Sequence, residues 1–376
     1  MKISYVTSYS TSDIGNWSGL GYFIPKALTD QNAELDIICT PKVEAGFVLS
    51  FKKMLYRMLG QDFDLTRAPG LARQSSRYTS SLIKPDSNII FSPGSIPIAL
   101  LETEKPKVFY TDATFAGMIG FYEGFSNFCP ETIKNGNYLE REALESAKLV
   151  IYSSDWAANS AIKHYHIDPS KIKVVPFGAN INCRLGWKDL KQLVDSRSST
   201  ECNLLFVGVE WVRKGGDAAV AIADMLNKTG VKSKLHIVGA RDVPSNLPDF
   251  VVNHGFISKA TQEGQRRIER LFSQSHFLLL PTKADCTPVV FSEANSFGVP
   301  VISTNVGGIS TVIKDDVNGR IFSLNSDLTE WCNYIYATFC NKQRYYELCV
   351  SSFGEFQNRL NWNSAGESVM KLLKEL

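Results

Sequence analysis

Short apolar runs alternate with amphipathic stretches along nearly the whole chain, and no other feature constrains its fold as strongly. Residues 2–7, 35–39, 88–92, 107–110 and 149–153 read as buried strands, with helical patterns between them. A strand without polar alternation must be covered on both faces, which a parallel sheet wrapped by crossover helices achieves. A second series of the same kind runs through 203–207, 234–238, 250–253, 277–280 and 299–303. At 376 residues the chain is long for one core and comfortable for two. The polar stretch 180–200, serine-rich near its end, separates the two series. The prediction is therefore α/β, with two doubly wound domains facing a central cleft: 1–180, a hinge over 181–200, and 201–360. Segment 361–376 has helical periodicity through Ala365, Val369, Leu372 and Leu373, with Ser364 as its expected cap.

Composition narrows the function classes. A net charge of +2 argues against nucleic acid as a dominant partner. The eight cysteines form no C-x-x-C pair and the five histidines no H-x-x-x-H, so scattered reduced thiols are expected and no metal site is indicated. The start, MKISYVTSYS, lacks the apolar core of a signal peptide, and no run approaches the ~20 apolar residues of a membrane span. The expected location is cytoplasmic, with peripheral attachment to the inner face of a membrane left open.

The richest segment is 276–322, HFLLLPTKADCTPVVFSEANSFGVPVISTNVGGISTVIKDDVNGRIF, which reads as strand, loop, helix, strand, glycine turn and helix. A loop at 285–288 leads into a helix beginning near Val289, with Asp285 and Glu293 separated by seven residues. Loop amides and two acids at a strand's carboxyl end suit a ligand that carries both phosphates and hydroxyls. This acid-x7-acid spacing, followed by Gly298, Pro300, Val301, Gly307, Gly308 and Gly319, resembles the nucleotide-sugar half of the retaining GT-B glycosyltransferases, the glycosyl transferases group 1 family. The family carries Glu where this chain has Asp285, and often a turn glycine where it has Pro288.

The resemblance implies two Rossmann-like domains, acceptor-side first and donor-binding second, with the C-terminal helix returning to the first. It also implies site residues. Asp285 would meet the donor sugar hydroxyls and Glu293 the ribose, while amides near Thr287, Pro288, Val289 and Val290 add hydrogen bonds. The family segment G-R-x4-K-G corresponds to Gly208 and Lys214, with Val209 in the arginine's place and Arg213 as a compensating cation for the diphosphate. A compact ammonium at a helix mouth suits a leaving diphosphate. Phe256 and Ile257, after His254 and Gly255, match the turn lining the nucleotide base.

In the first domain a glycine-bearing loop follows the first strand, and Ser18 and Gly19 are the expected approach to the donor; an ordinary surface turn is the plainer alternative. Asp112, directly after a strand, matches the family's polar or acidic cleft residue, helix capping being the alternative. The function implied is transfer of a sugar from a nucleotide-sugar donor to a glycan, lipid-linked or small-molecule acceptor, with retention of configuration and no metal cofactor. The catalytic candidates are Asp112, Lys214 and Asp285. A nucleotide-sugar epimerase and a catalytically silent nucleotide-sugar-binding subunit are the alternatives, the latter suggested by the Glu-to-Asp and Arg-to-Val departures.

Outside the motifs, 47–84 is basic, and Phe47, Phe51, Met54, Leu55 and Met58 fall at helical spacing beside Lys52, Lys53 and Arg57. Such a helix lies on an anionic membrane, grips a lipid-linked acceptor, or packs against its own domain. Lys259, Arg266 and Arg267 read as a solvated face.

Overall fold

The computed structural model describes all residues except Lys42, Asn182 and Arg184, the last two of which fall inside the expected hinge. The chain divides into two units, Met1–Val175 with Ala365–Leu376, and Pro176–Ser364. The first is built on β1 Lys2–Thr7, β2 Glu34–Cys39, β3 Ile89–Ser92, β4 Lys107–Thr111, β5 Leu149–Tyr152 and β6 Ile172–Val174, all parallel, in the order β2-β1-β3-β4-β5-β6. Every residue of β3, β4 and β5 is buried, so unbroken apolar runs sit where both sheet faces are covered by helices.

The second unit repeats the plan with β7 Cys202–Val207, β8 Ser233–Val238, β9 Val251–Asn253, β10 Phe277–Leu280, β11 Val301–Thr304 and β12 Gly319–Phe322. Its order is β12-β11-β10-β7-β8-β9, again parallel throughout. The chain winds outward from β7 in one direction, returns to β10 beside it, and winds out in the other. The loops that leave β7 and β10 are thereby placed side by side at the point where strand order reverses, a place where doubly wound sheets bind ligands. Two strands went unread in the sequence, β6 (IKV) and β12 (GRIF). Both are short edge strands whose central charged residue breaks the apolar run, and Gly319 proves to open β12 with no room for a side chain: a Cβ there would stand 1.9 Å from the carbonyl oxygen of Val301.

The stretch expected as a hinge is built into the second unit. It carries a helix, Trp187–Asp195, whose Leu190 and Val194 belong to that unit's apolar core. Upstream, Phe177 O accepts a hydrogen bond from Ser292 Oγ (3.4 Å) and Cys183 Sγ donates to Ser296 O (3.2 Å). Downstream, buried Arg197 donates to the carbonyls of Ser273, Phe297 and Gly298 (3.2, 2.6 and 3.2 Å) and to Tyr345 Oη (2.7 Å). Among the polar residues of this segment is therefore a guanidinium that stitches loops together, which the serine-rich composition concealed. The last helix, Trp362–Lys374, starts two residues before the expected cap: Asn361 Oδ1 accepts from Ser364 N (2.9 Å). Its Gly366 lies against Ala27 O, at 2.7 Å from where a Cβ would stand, in contact with the helix Leu20–Asp30 of the first unit.

The helix Phe47–Met58 differs from the packed alternative. None of its residues is buried, and its apolar side faces solvent.

Arg197→Ala is expected to lower the unfolding free energy by at least about 3 kcal/mol, because it strands several buried acceptors at once. Urea denaturation measures this, and a loss below about 1 kcal/mol would mean that the segment is only loosely tied.

Candidate functional site

After β7 the chain passes Gly208 and Val209 into a single helical turn, Trp211–Lys214, closed by Gly215 in the left-handed region (φ 78°). Gly215 is constrained twice, since a Cβ there would also stand 2.0 Å from Pro281 O. Buried Trp211 lies against Gly216 and donates from its indole N–H to Asp217 Oδ1 (2.9 Å), which sets the turn's orientation. At Gly208 a Cβ would come within 2.9 Å of Lys214 Cγ. The absent side chain thus gives the lysine stem its path back along the backbone.

That path ends on Asp285. Lys214 Nζ forms an ion pair with Asp285 Oδ2, with the two side chains only 12% and 9% exposed. Arg213 Nη1 stands 4.0 Å from the same oxygen, but its guanidinium is committed elsewhere: it forks onto Glu210 (2.8 and 2.9 Å) and donates to Ala284 O (2.7 Å). The fork holds the Glu210 carboxyl below its usual range. Lys283 N also donates to Arg213 O (2.7 Å). Arg213 therefore ties the two loops to each other, a structural duty the sequence reading did not assign, while Val209, in the position of the family arginine, is 43% exposed.

Asp285 leads into the buried turn Cys286, Thr287 and Pro288 and then the helix Val289–Asn295, where Pro288 offers the first-turn amides no side-chain acceptor. The Gly307–Gly308 turn supports this loop from behind, Gly308 N donating to Asp285 O (3.2 Å). About one turn into the helix, Glu293 is 1% exposed. Its Oε1 pairs with Lys259 Nζ, and its Oε2 is buried with no hydrogen-bond partner. Leaving a carboxylate oxygen unpaired in the interior is costly, which makes this atom a candidate acceptor for a donor group from outside the protein. Lys259, read from sequence as solvated, is thus the ion-pair partner of a buried acid. Its separation of 34 positions from Glu293 carries no local signal. Arg266 and Arg267 are exposed, as read. Of the two residues matched to the base-lining turn, Ile257 is absorbed into the core, and the Phe256 ring is 77% exposed.

In the first unit the loop after β1 runs through three consecutive left-handed residues, Trp17 (φ 47°), Ser18 (φ 54°) and Gly19 (φ 95°). Two of them are not glycine, and a left-handed backbone at such residues carries strain. Gly21 is a packing glycine, since a Cβ there would stand 2.8 Å from the Tyr9 ring. Asp112 follows β4 and is half-buried. It does not cap the next helix: Thr114 Oγ1 does, accepting from Gly117 N at 3.0 Å. Tyr9 is pushed above the ordinary phenol range by its burial, and the Asp112 charge adds to the shift.

Among the described residues no group of three or more His, Cys, Asp or Glu stands together as a metal site. No described helix is long and apolar enough to cross a membrane.

Comparison with known proteins places these observations. Residues 201–339 match the family model described as Glycosyl transferases group 1. A D-inositol 3-phosphate glycosyltransferase of Gordonia bronchialis is 23% identical over 222 residues, covering 56% of this chain and 48% of that protein. The chain thus spans about half the length of the curated relatives it matches. Among solved structures, the sucrose-phosphate synthase of Thermosynechococcus elongatus superposes with a TM-score of 0.72 at 15% identity, covering 100% of this chain and 98% of that one. The Anabaena protein HepE, solved with UDP-glucose, superposes at 0.64 and 16% identity, with both chains fully covered. Both likenesses establish the architecture. The chain has the GT-B fold, and residues 201–339 of its second unit match the glycosyl transferases group 1 family.

Proposed function

We propose that the chain is a glycosyltransferase that takes a nucleotide sugar as donor, bound by the second unit, and passes the sugar with retention of configuration to an acceptor held by the first. The observation that carries this reading is Glu293 Oε2, a buried and unpartnered carboxylate oxygen one short helix away from the Lys214–Asp285 pair. A carboxylate acceptor suits the two hydroxyls of a ribose, an ammonium suits a diphosphate, and a second carboxylate suits sugar hydroxyls. One ligand class has all three groups. The UDP-glucose bound by HepE belongs to that class, which supports the same choice here.

In this reading Lys214 turns from Asp285 toward the diphosphate, while Asp285 accepts hydrogen bonds from the sugar. As the bond from the anomeric carbon to the phosphate oxygen breaks, the acceptor oxygen bonds to that carbon from the same face. The acceptor proton passes to the leaving phosphate, and a nucleoside diphosphate departs. No protein base is needed, and the charge that develops on the phosphate is met by Lys214. Ser18, Gly19 and Asp112 serve the first unit's side of the reaction as loop approach and polar contact. A thermal-shift screen with UDP-, GDP- and ADP-sugars tests the donor class, since a ligand at 100 times its dissociation constant stabilises by about 2.7 kcal/mol. Stabilisation with no turnover on a broad acceptor panel would instead favour a silent binding subunit, and an altered sugar formed without acceptor would favour an epimerase.

Lys214→Ala should lower turnover by at least about 100-fold, the scale of losing one preorganised charge partner. It should also cost about 3 kcal/mol of stability, because Asp285 is left buried without its lysine. The double variant Lys214→Ala/Asp285→Asn separates the two effects: stability should return while turnover stays lost. Near-normal turnover in Lys214→Ala would remove the lysine from the mechanism.

Glu293 yields a second test. Deoxyribose donors should bind more weakly than ribose donors by about 1–3 kcal/mol, the cost of leaving a buried acceptor unpaired. Glu293→Gln should erase much of that preference, and equal affinities in the unaltered protein would contradict the ribose role.

Retention and independence of metal are checked together by nuclear magnetic resonance of product formed in excess chelator. The donor's anomeric configuration should persist and transfer should continue. An inverted linkage, or transfer restored only by magnesium or manganese, would overturn the mechanism.

A further inference from the structure

The helix Phe47–Met58 is amphipathic in the reverse sense. Its inner edge holds it to the first unit through polar and aromatic contacts: Lys52 Nζ to Glu131 Oε1 (2.7 Å), Tyr56 Oη toward Glu131 Oε2 (3.5 Å), and the Tyr56 ring stacked on Phe63 at 5.6 Å. The outward side carries Phe47, Val48, Phe51, Met54, Leu55 and Met58, and the terminal pair Phe47 and Met58 are 86% and 76% exposed. Among the described residues, Phe47 and Phe51 stack on each other, at 6.4 Å. Apolar side chains at this density on one continuous face mark a docking surface.

Charge selects the occupant. Beside the apolar stripe stand Lys53 and Arg57, both exposed and without an ion pair among the described residues. The helix has no acidic residue, and residues 47–82 hold six basic side chains against two acidic ones. A second copy docking face to face would bring these cations against each other with nothing to answer them. A layer that is apolar inside and anionic at its surface answers both features of the helix.

We propose that this helix seats the protein on an anionic phospholipid surface, with the aromatic and methionine side chains inserted below the headgroups and Lys53 and Arg57 at their level. This interaction does not depend on the donor site, and it would hold a lipid-borne acceptor close to the first unit.

The test uses the full chain and sedimentation with vesicles of phosphatidylcholine alone or containing a minor fraction of phosphatidylglycerol. The unaltered protein should sediment with the anionic vesicles, hardly with the neutral ones, and less as salt shortens the Debye length from about 10 to about 3 Å. The variants Phe47→Ser/Phe51→Ser/Met58→Ser and Lys53→Ala/Arg57→Ala should each bind at least about tenfold more weakly, since each removes one of the two attractions. Their thermal midpoints and donor-induced thermal shifts should match the unaltered protein, which keeps this outcome distinct from failure of the donor reading. Absence of vesicle binding, equal binding to neutral vesicles, or full binding by both variants would overturn the proposal. So would light scattering that finds a dimer in solution which the triple variant dissolves, if vesicle binding is absent.

Discussion

Two carboxylates, Asp285 and Glu293, are kept almost wholly out of water, and each is answered by a lysine from a distant stretch of chain. Burying an acid is unfavourable unless a cation or several donors meet it, so the loops bearing these acids can pack only where Lys214 and Lys259 are delivered to them. The reversal of strand order in the second sheet delivers Lys214, because β7 and β10 are neighbours and their outgoing loops run together. The turn preceding the helix Gln262–Gln274 delivers Lys259. Much of the surrounding detail serves these meetings: the missing side chain at Gly208, the left-handed Gly215, the Arg213 fork and the Gly308 amide behind Asp285.

The two pairs are not equivalent. Asp285 has one oxygen engaged by Lys214 and a guanidinium at 4.0 Å, so in this state its charge is largely met from within the protein. Glu293 has one oxygen engaged and one orphaned. The second acid therefore has vacant acceptor capacity, whereas the first has to exchange a partner when ligand arrives. On the proposed reading this difference fits their tasks: steady recognition of a nucleoside at Glu293, and at Asp285 a contact that changes as the reacting sugar and diphosphate enter.

Most of the architecture was legible because buried parallel strands leave a plain mark, an apolar run such as FLLL at 277–280 with no polar alternation. The misses share a cause. The edge strands β6 and β12 are short and hold a charged residue, and the 181–200 segment looked like a linker because Arg197, polar like its exposed neighbours, is solvated by carbonyls instead of water. Composition cannot distinguish these two fates of a polar side chain.

Sequence alone determined the paired doubly wound plan, the acid-x7-acid spacing and the candidate lysine at 214, since each is carried by residues close together in the chain or by periodicity. Tertiary structure decided that Lys214 rests on Asp285, that Arg213 is a loop tie, that Lys259 is a partner of Glu293, and that the apolar side of the helix Phe47–Met58 faces outward. An ion pair between residues 34 or 71 positions apart, and the choice of which side of an amphipathic helix meets the core, depend on what the rest of the fold places opposite them, and no local pattern records that.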